Sequence, residues 1–166
     1  MPDIWKILLI IQPIVGSIIV GLLGGNYGKN INNWYKKLKQ SPLTPPGYVF
    51  GIVWPILYIL IGINGYFIYN TLSKLNRQHI FEKLFLNDYI IKYEIQLLLN
   101  FSWSLAFFKF NAPKVSLVIV GLMIAFTIYL LIKSFPIDKR AFWVLIPYLL
   151  WIIFAAYLNF YIVLKN

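Results

Sequence analysis

The chain has 166 residues, of which 60% are hydrophobic, 19% aromatic and only 12% charged, with a mean hydropathy of +0.73. Water-soluble domains average roughly 45–50% apolar and about 25% charged residues, so this composition excludes an ordinary soluble fold and predicts one domain, residues 1–166, whose solvent is the bilayer. The net charge of +10 sits between apolar runs and not on a soluble basic face, which argues for loops anchored at lipid headgroups and against nucleic acid as a partner.

Five apolar segments occur in chain order, about 4–23, 48–72, 89–108, 115–132 and 141–164. Each approaches the ~20 residues that span a ~30 Å hydrocarbon core. All are expected to be helices, because a spanning segment must satisfy its own backbone hydrogen bonds. The first carries Asp3 beside Lys6 and no A-x-A cleavage pattern, so it reads as a span and not as a signal peptide. Its small residues Ser17, Gly21 and Gly25 form a row suited to close packing within a bundle or between subunits.

The connection over 26–46 contains NNWYKKLK, a basic stretch interleaved with Trp34, Tyr35 and Leu38. Such a segment suits the headgroup level or the mouth of a bundle. It leads into SPLTPPGYVFGIVWPILY at 41–58. Pro45 and Pro46 hold the lead-in extended and permit an immediate helix start. Pro55 removes a backbone donor and crowds the Gly51 carbonyl, so a kink is expected there that aims Trp54 into the bundle. Phe50, Trp54 and Tyr58 recur every four residues on this segment.

The polar stretch SKLNRQHIFEK holds His79, the single histidine, which reads as a solvated loop residue and not as a metal ligand. In the third segment Gln96, Asn100, Trp103 and Phe107 follow i, i+4, i+7, i+11 spacing and share one helical face, two amides followed by two rings. That face serves either helix–helix hydrogen bonding or a ligand. A short connection over 109–114 joins the third and fourth segments as an antiparallel pair, with Pro113 suited to a helix start. In the fifth, Trp151, Ala155 and Leu158 share a face one turn beyond Pro147.

Polar residues inside the spans are few: Ser17, Asn64, Gln96, Asn100, Thr127 and Asn159. No charged residue falls near the middle of a span, which disfavours ion-coupled pumps and voltage sensors. Trp5, Trp34 and Trp143 sit at segment ends, as in an interfacial aromatic belt. Trp54, Trp103 and Trp151 lie deeper and suit a flat apolar cavity with an amide for orientation. Cysteine is absent, and no Ser-His-Asp set, metal cluster or nucleotide loop occurs, so no resident metal or cofactor is expected. Lys and Arg of the loops divide eight against seven between the two sides, so the chain is read as a multi-pass membrane protein whose orientation and host membrane stay open.

These blocks resemble the translocator protein family, also called TspO/MBR, tryptophan-rich sensory proteins or peripheral benzodiazepine receptors. The resemblance covers most of the chain and rests on WYKKL at 34–38, PPGYVFGIVWPILY at 45–58, QLLLNFSW at 96–103 with the FF of 107–108, and PYLLWIIFAAYLN at 147–159. It implies an all-α, five-helix transmembrane bundle around a ligand cavity covered by the first loop. It implies a binding protein or receptor for porphyrins such as protoporphyrin IX, with sterols or benzodiazepine-type compounds as further ligands and a homodimer as the common assembly. The alternatives it carries are light-dependent porphyrin breakdown, which would draw on Trp54 and Trp151, and sterol or porphyrin transport. By position, Tyr35, Trp54, Asn100, Trp103, Trp151 and Ala155 match the family's pocket residues; Tyr58, Gln96 and Phe107 join them from the helical faces described above. Lys36, Lys37 and Lys39 then stand where porphyrin propionates would be met. The chain departs from the family at Leu43, Ile52 and Pro55. A sterol-type pattern is formally present as Leu158, Tyr161 and Lys165.

Overall fold

A computed structural model describes residues 12, 14–19, 21–23, 33–75 and 87–166. The described residues are helical, turn or irregular, with no strand among them. Helix α1 is Ile14–Leu23 and the short α2 is Asn33–Lys37. They are followed by α3, Gly47–Leu75, and α4, Asp88–Ser104, which continues as a π-helical turn over Leu105–Lys109. The long α5, Pro113–Ile137, and α6, Lys139–Lys165, complete the chain.

Among the described residues three helices are long and apolar enough to cross a membrane: Gly47–Lys74, Pro113–Ile137 and Lys139–Lys165. They contain the second, fourth and fifth predicted segments, each extended by a few residues. The third predicted segment is α4 plus its π turn, about 30 Å of helix at 1.5 Å per residue; Asp88, Lys92 and Glu94 make its first two turns more polar. Of the first predicted segment, the part before Gln12 lies outside the described residues, as do Gly25, Lys29 and His79.

The ends of these helices obey local rules. Asn87 caps α4, its side chain accepting from the Tyr89 N–H at 3.0 Å, and Asp138 caps α6 by accepting from the Arg140 N–H at 2.9 Å. Pro113 opens α5 as expected. Between the π turn and α5 the chain reverses through Asn111, whose φ of 50° lies in the left-handed region that asparagine tolerates. Helix α3 continues through Pro55, which is exposed on its outer face.

Helices α5 and α6 pack along their lengths, α4 packs on α5, and α3 packs on α6. The interior carries polar side chains, Ser17, Asn64, Gln96, Asn100, Ser116, Thr127, Ser134 and Asn159 among them, while the exterior is studded with exposed Ile52, Ile59, Leu98, Val118, Ile132, Leu150 and Phe160. Apolar outside and hydrogen-bonded inside is the arrangement that lipid solvent favours.

Ser17 and Gly21, the described members of the row of small residues on α1, face inward. Ser17 is fully buried, and a side chain on Gly62 of α3 would meet the Ile14 Cα and the Ser17 Oγ at 2.7 Å. A side chain on Gly21 would meet the Tyr58 ring at 2.6 Å. At Ser17 and Gly21 the row packs closely within the bundle, one of the two uses expected for it. The exposed outer face does not carry the sterol-type row intact, because Leu158 is buried while Tyr161 is only partly exposed and Lys165 exposed.

Candidate functional site: an aromatic cluster with two buried amides

The inner face of the first turns of α3 meets the later turns of α4 and α6. Trp54 stands at the centre. Its ring lies 5.8 Å from Tyr58 on its own helix, 5.9 Å from Trp103 of α4 and 6.5 Å from Trp151 of α6. The expected inward aim of Trp54 is therefore met. Phe50, one turn earlier, packs edge-on against Trp151 at 5.8 Å. Such ring pairs contribute about 0.5–1.5 kcal/mol each beyond their buried area.

The π turn at the end of α4 sets the other wall. An extra residue in the turn shifts the later side chains around the helix axis, so Phe107 stacks on Trp103 at 5.4 Å while Phe108 meets both rings edge-on. Single π turns recur at functional sites; nothing in the apolar run LAFFK announces one. Phe107 is the ring on which the first connection rests: Trp34 and Tyr35 of α2 each meet it edge-on at 5.9 Å. Trp34, expected in an interfacial belt, thus contacts the cluster. Trp143 is 65% exposed. Burial pushes the Tyr35 phenol above its ordinary range, so it stays a neutral hydrogen-bonding group.

The segment that follows α2 is tied to α6 at two places. The Asn166 side chain accepts from the Lys39 N–H at 2.9 Å and donates back to the Lys39 carbonyl at 3.3 Å. The hydroxyls of Ser41 and Tyr157 share a hydrogen bond of 2.9 Å. Lys36, Lys37 and Lys39 are all exposed along this segment.

Beneath the rings lie the two amides. Gln96 and Asn100 are 2% and 1% exposed. Both donate to the hydroxyl of Tyr148 on α6, Gln96 Nε2 at 2.7 Å and Asn100 Nδ2 at 2.6 Å. Their carbonyl oxygens and the Trp151 indole N–H are buried without a hydrogen-bond partner. Ala155, one turn beyond Trp151, is buried. Trp103 is fixed differently: its indole donates to Asn159 Oδ1 at 3.3 Å, and Asn159 Nδ2 donates to the Pro113 carbonyl at 2.8 Å.

The structure thus brings together Tyr35, Trp54, Tyr58, Trp103, Phe107 and Trp151 as one chain of ring contacts, with Gln96 and Asn100 joined through Tyr148. Tyr148 is the residue that sequence reasoning passed over. Its signal was present: Tyr148, Ile152, Ala155 and Asn159 repeat the i, i+4, i+7, i+11 spacing of the third segment, and all four are buried. The departures Leu43, Ile52 and Pro55 are exposed. Among the described residues no cluster of His, Asp or Glu could hold a metal.

Long apolar helices, a lipid-compatible exterior and a tryptophan-walled polar interior define a helical integral membrane protein with an internal aromatic site. A model of the TspO/MBR family matches residues 10–164. The chain is 35% identical to the tryptophan-rich protein TspO of Archaeoglobus fulgidus over 97% of its length and 99% of the relative's. It is 32% identical to the protein of the same name from Chlorobaculum tepidum, covering 90% of each chain, and 29% identical to the translocator protein of Bos taurus, covering 89% and 86%. The chain belongs to the TspO/MBR family.

Proposed function

We propose that this protein is a membrane receptor for a flat tetrapyrrole such as protoporphyrin IX, held among α3, α4 and α6 under the segment that carries Trp34 and Tyr35. On this reading α1 and α4 are the remaining two spans of a five-helix bundle. The observation that carries it is the contact of Trp54 with both Trp103 and Trp151, rings from three helices meeting above two buried amides. Indole rings offer stacking surface to a broad aromatic disc, and a mostly apolar site with a few convergent polar groups is the usual character of a ligand pocket. The exposed Lys36, Lys37 and Lys39 are available to meet propionates by charge-assisted hydrogen bonds.

The test is a titration of the detergent-solubilised protein with protoporphyrin IX, following tryptophan quenching, beside an Asn100→Ala/Trp151→Ala variant. Saturable binding that the variant weakens at least about tenfold is expected, a loss of ~1.4 kcal/mol or more. Binding that is absent, or equal in the variant, overturns the reading. A Lys36→Ala/Lys37→Ala/Lys39→Ala variant with unchanged affinity and salt dependence removes the lysines from it.

A further inference from the structure

We propose that the groove between the start of α4 and the end of α5 holds one anionic phospholipid, its phosphate met by Lys92 and Lys133 and an acyl chain lying along the outer face of α5. The site stands at the opposite end of the bundle from the aromatic cluster, and it does not depend on what that cluster binds.

The starting point is Tyr129, partly buried on α5. The ammonium of Lys92, from α4, lies over its ring at 5.6 Å from the centroid, and that of Lys133, from its own helix, also at 5.6 Å. Both fall within the roughly 6 Å over which a ring attracts a cation. Lysines near the end of a span ordinarily carry their charge away from the apolar surface and into water. Here two of them, from different helices, lean over one ring, although like charges brought together repel. Lys92 is paired with Asp88, one turn earlier on α4. Lys133 is exposed and has no carboxylate partner among the described residues. Together the three groups carry one net positive charge, and a phosphodiester with its single negative charge is the complement.

Depth and surroundings select a lipid over a free anion. Lys92 stands four residues after the start of α4 and Lys133 four before the end of α5, so each lies about 6 Å inside its helix end, at headgroup level. Further along α5, Val118, Leu122, Ala125 and Tyr129 follow i, i+4, i+7, i+11 spacing and share one face. Val118 is 66% and Leu122 45% exposed, and Ala125 is exposed as well. From Leu122 to Lys133 the helix rises about 16 Å, close to half of a ~30 Å hydrocarbon core. Two cations above an apolar track one leaflet deep match the outline of a phospholipid, and basic pockets between membrane helices are a recurring way of holding lipid headgroups. A bound phosphate also gives the charged first turns of α4 a partner at the membrane surface.

The test uses the full chain in detergent micelles doped with dioleoylphosphatidylglycerol or dioleoylphosphatidylcholine, which share their acyl chains, with retained lipid counted by native mass spectrometry. The anionic lipid is expected to be retained at least about fivefold more strongly. Lys133→Gln, which breaks no ion pair among the described residues, should lower that ratio, and Lys92→Gln/Lys133→Gln should bring it close to unity. Lys114→Gln/Lys165→Gln removes the same charge at the other end of the bundle and should leave the ratio unchanged, which separates a site from the pull of the net charge. Unfolding midpoints in phosphatidylcholine micelles should match the wild type, so that a lost ratio is not lost folding.

Equal retention of the two lipids overturns the proposal, as does a preference that survives Lys92→Gln/Lys133→Gln or falls equally in Lys114→Gln/Lys165→Gln. Displacement of the lipid by inorganic phosphate would make this a free-anion site and overturn it too. A dimer that Lys92→Gln/Lys133→Gln abolishes, with no lipid preference in the wild type, would assign the groove to a second copy of the chain instead.

Discussion

The two ends of this bundle are built on opposite principles. At the end where α4 and α6 begin, polar groups are paired. Asn64, fully buried, donates to the Ala141 carbonyl at 2.9 Å and accepts from the Tyr89 hydroxyl at 2.8 Å, so one side chain joins α3, α6 and α4. Tyr69 and Gln12 both donate to Glu94 Oε1, Tyr93 donates to the Ile61 carbonyl, and Thr71 donates to Asp138, which Arg140 also grips. Toward the other end ring contacts stand beside the hydrogen bonds, and the three buried side-chain atoms without a partner among the described residues lie on that side. In a low-dielectric interior a satisfied hydrogen bond fixes geometry and an unsatisfied one is a cost. One end of the bundle is bolted, and the other holds its polar atoms in reserve.

The sharpest way to break this comparison is to make the same substitution at both ends. Asn64→Leu should cost about 1–3 kcal/mol, because it leaves the buried Tyr89 hydroxyl without its partner and removes the bond to the Ala141 carbonyl. Asn100→Leu should change the stability of the ligand-free protein by less than about 1 kcal/mol, since it also deletes an orphaned carbonyl, yet it should lose ligand. Thermal unfolding in detergent, followed by tryptophan fluorescence, checks both; equal destabilisation would erase the distinction between the ends.

Next in size, Gly62→Ala should cost about 1–3 kcal/mol by forcing α1 away from α3, with Gly51→Ala, which meets no neighbour within 4 Å, as the control on the same helix. A smaller effect is expected from Asn166→Ala/Tyr157→Phe. This variant releases the covering segment, at about 0.5–1.5 kcal/mol per hydrogen bond, and should speed ligand entry and exit in stopped-flow quenching more than it alters overall stability.

The smallest effect concerns pH. Hydrogen bonding from Arg140, against some desolvation, holds the Asp138 carboxyl below its usual range. A depressed folded-state value contributes stability that is complete above the unfolded value and lost as pH falls through the folded one. The stability difference between wild type and Asp138→Asn should therefore shrink below about pH 4. A difference that held constant there would place the stabilisation in the cap geometry alone.

Much of this was legible in the chain. The spacing of Gln96, Asn100, Trp103 and Phe107 put two amides and two rings on one face, and the structure keeps them there, buried. The stiff Pro45-Pro46 lead-in and the deep position of Trp54 pointed inward, where its ring contacts lie. Other features were not legible. Trp34 reads as a belt residue from its place at a segment end, because sequence position does not say which ring it will meet. Tyr148 lies in an apolar run where its hydroxyl has no visible partner until α4 lies beside it. The π turn over Leu105–Lys109 has no compositional mark.

The sequence by itself determined that the chain lives in lipid, where its three long apolar helices lie and which faces carry polar atoms and rings. Those are properties of single segments, set by hydropathy and by helical periodicity. Only the tertiary structure decided that both amide nitrogens meet on Tyr148, that three tryptophans from three helices touch, and that Asn166 ties down the segment over them. Each of these depends on the separation and rotation of neighbouring helices. Contacts such as Ser17 against Gly62 set those quantities, and the period of one helix does not encode them.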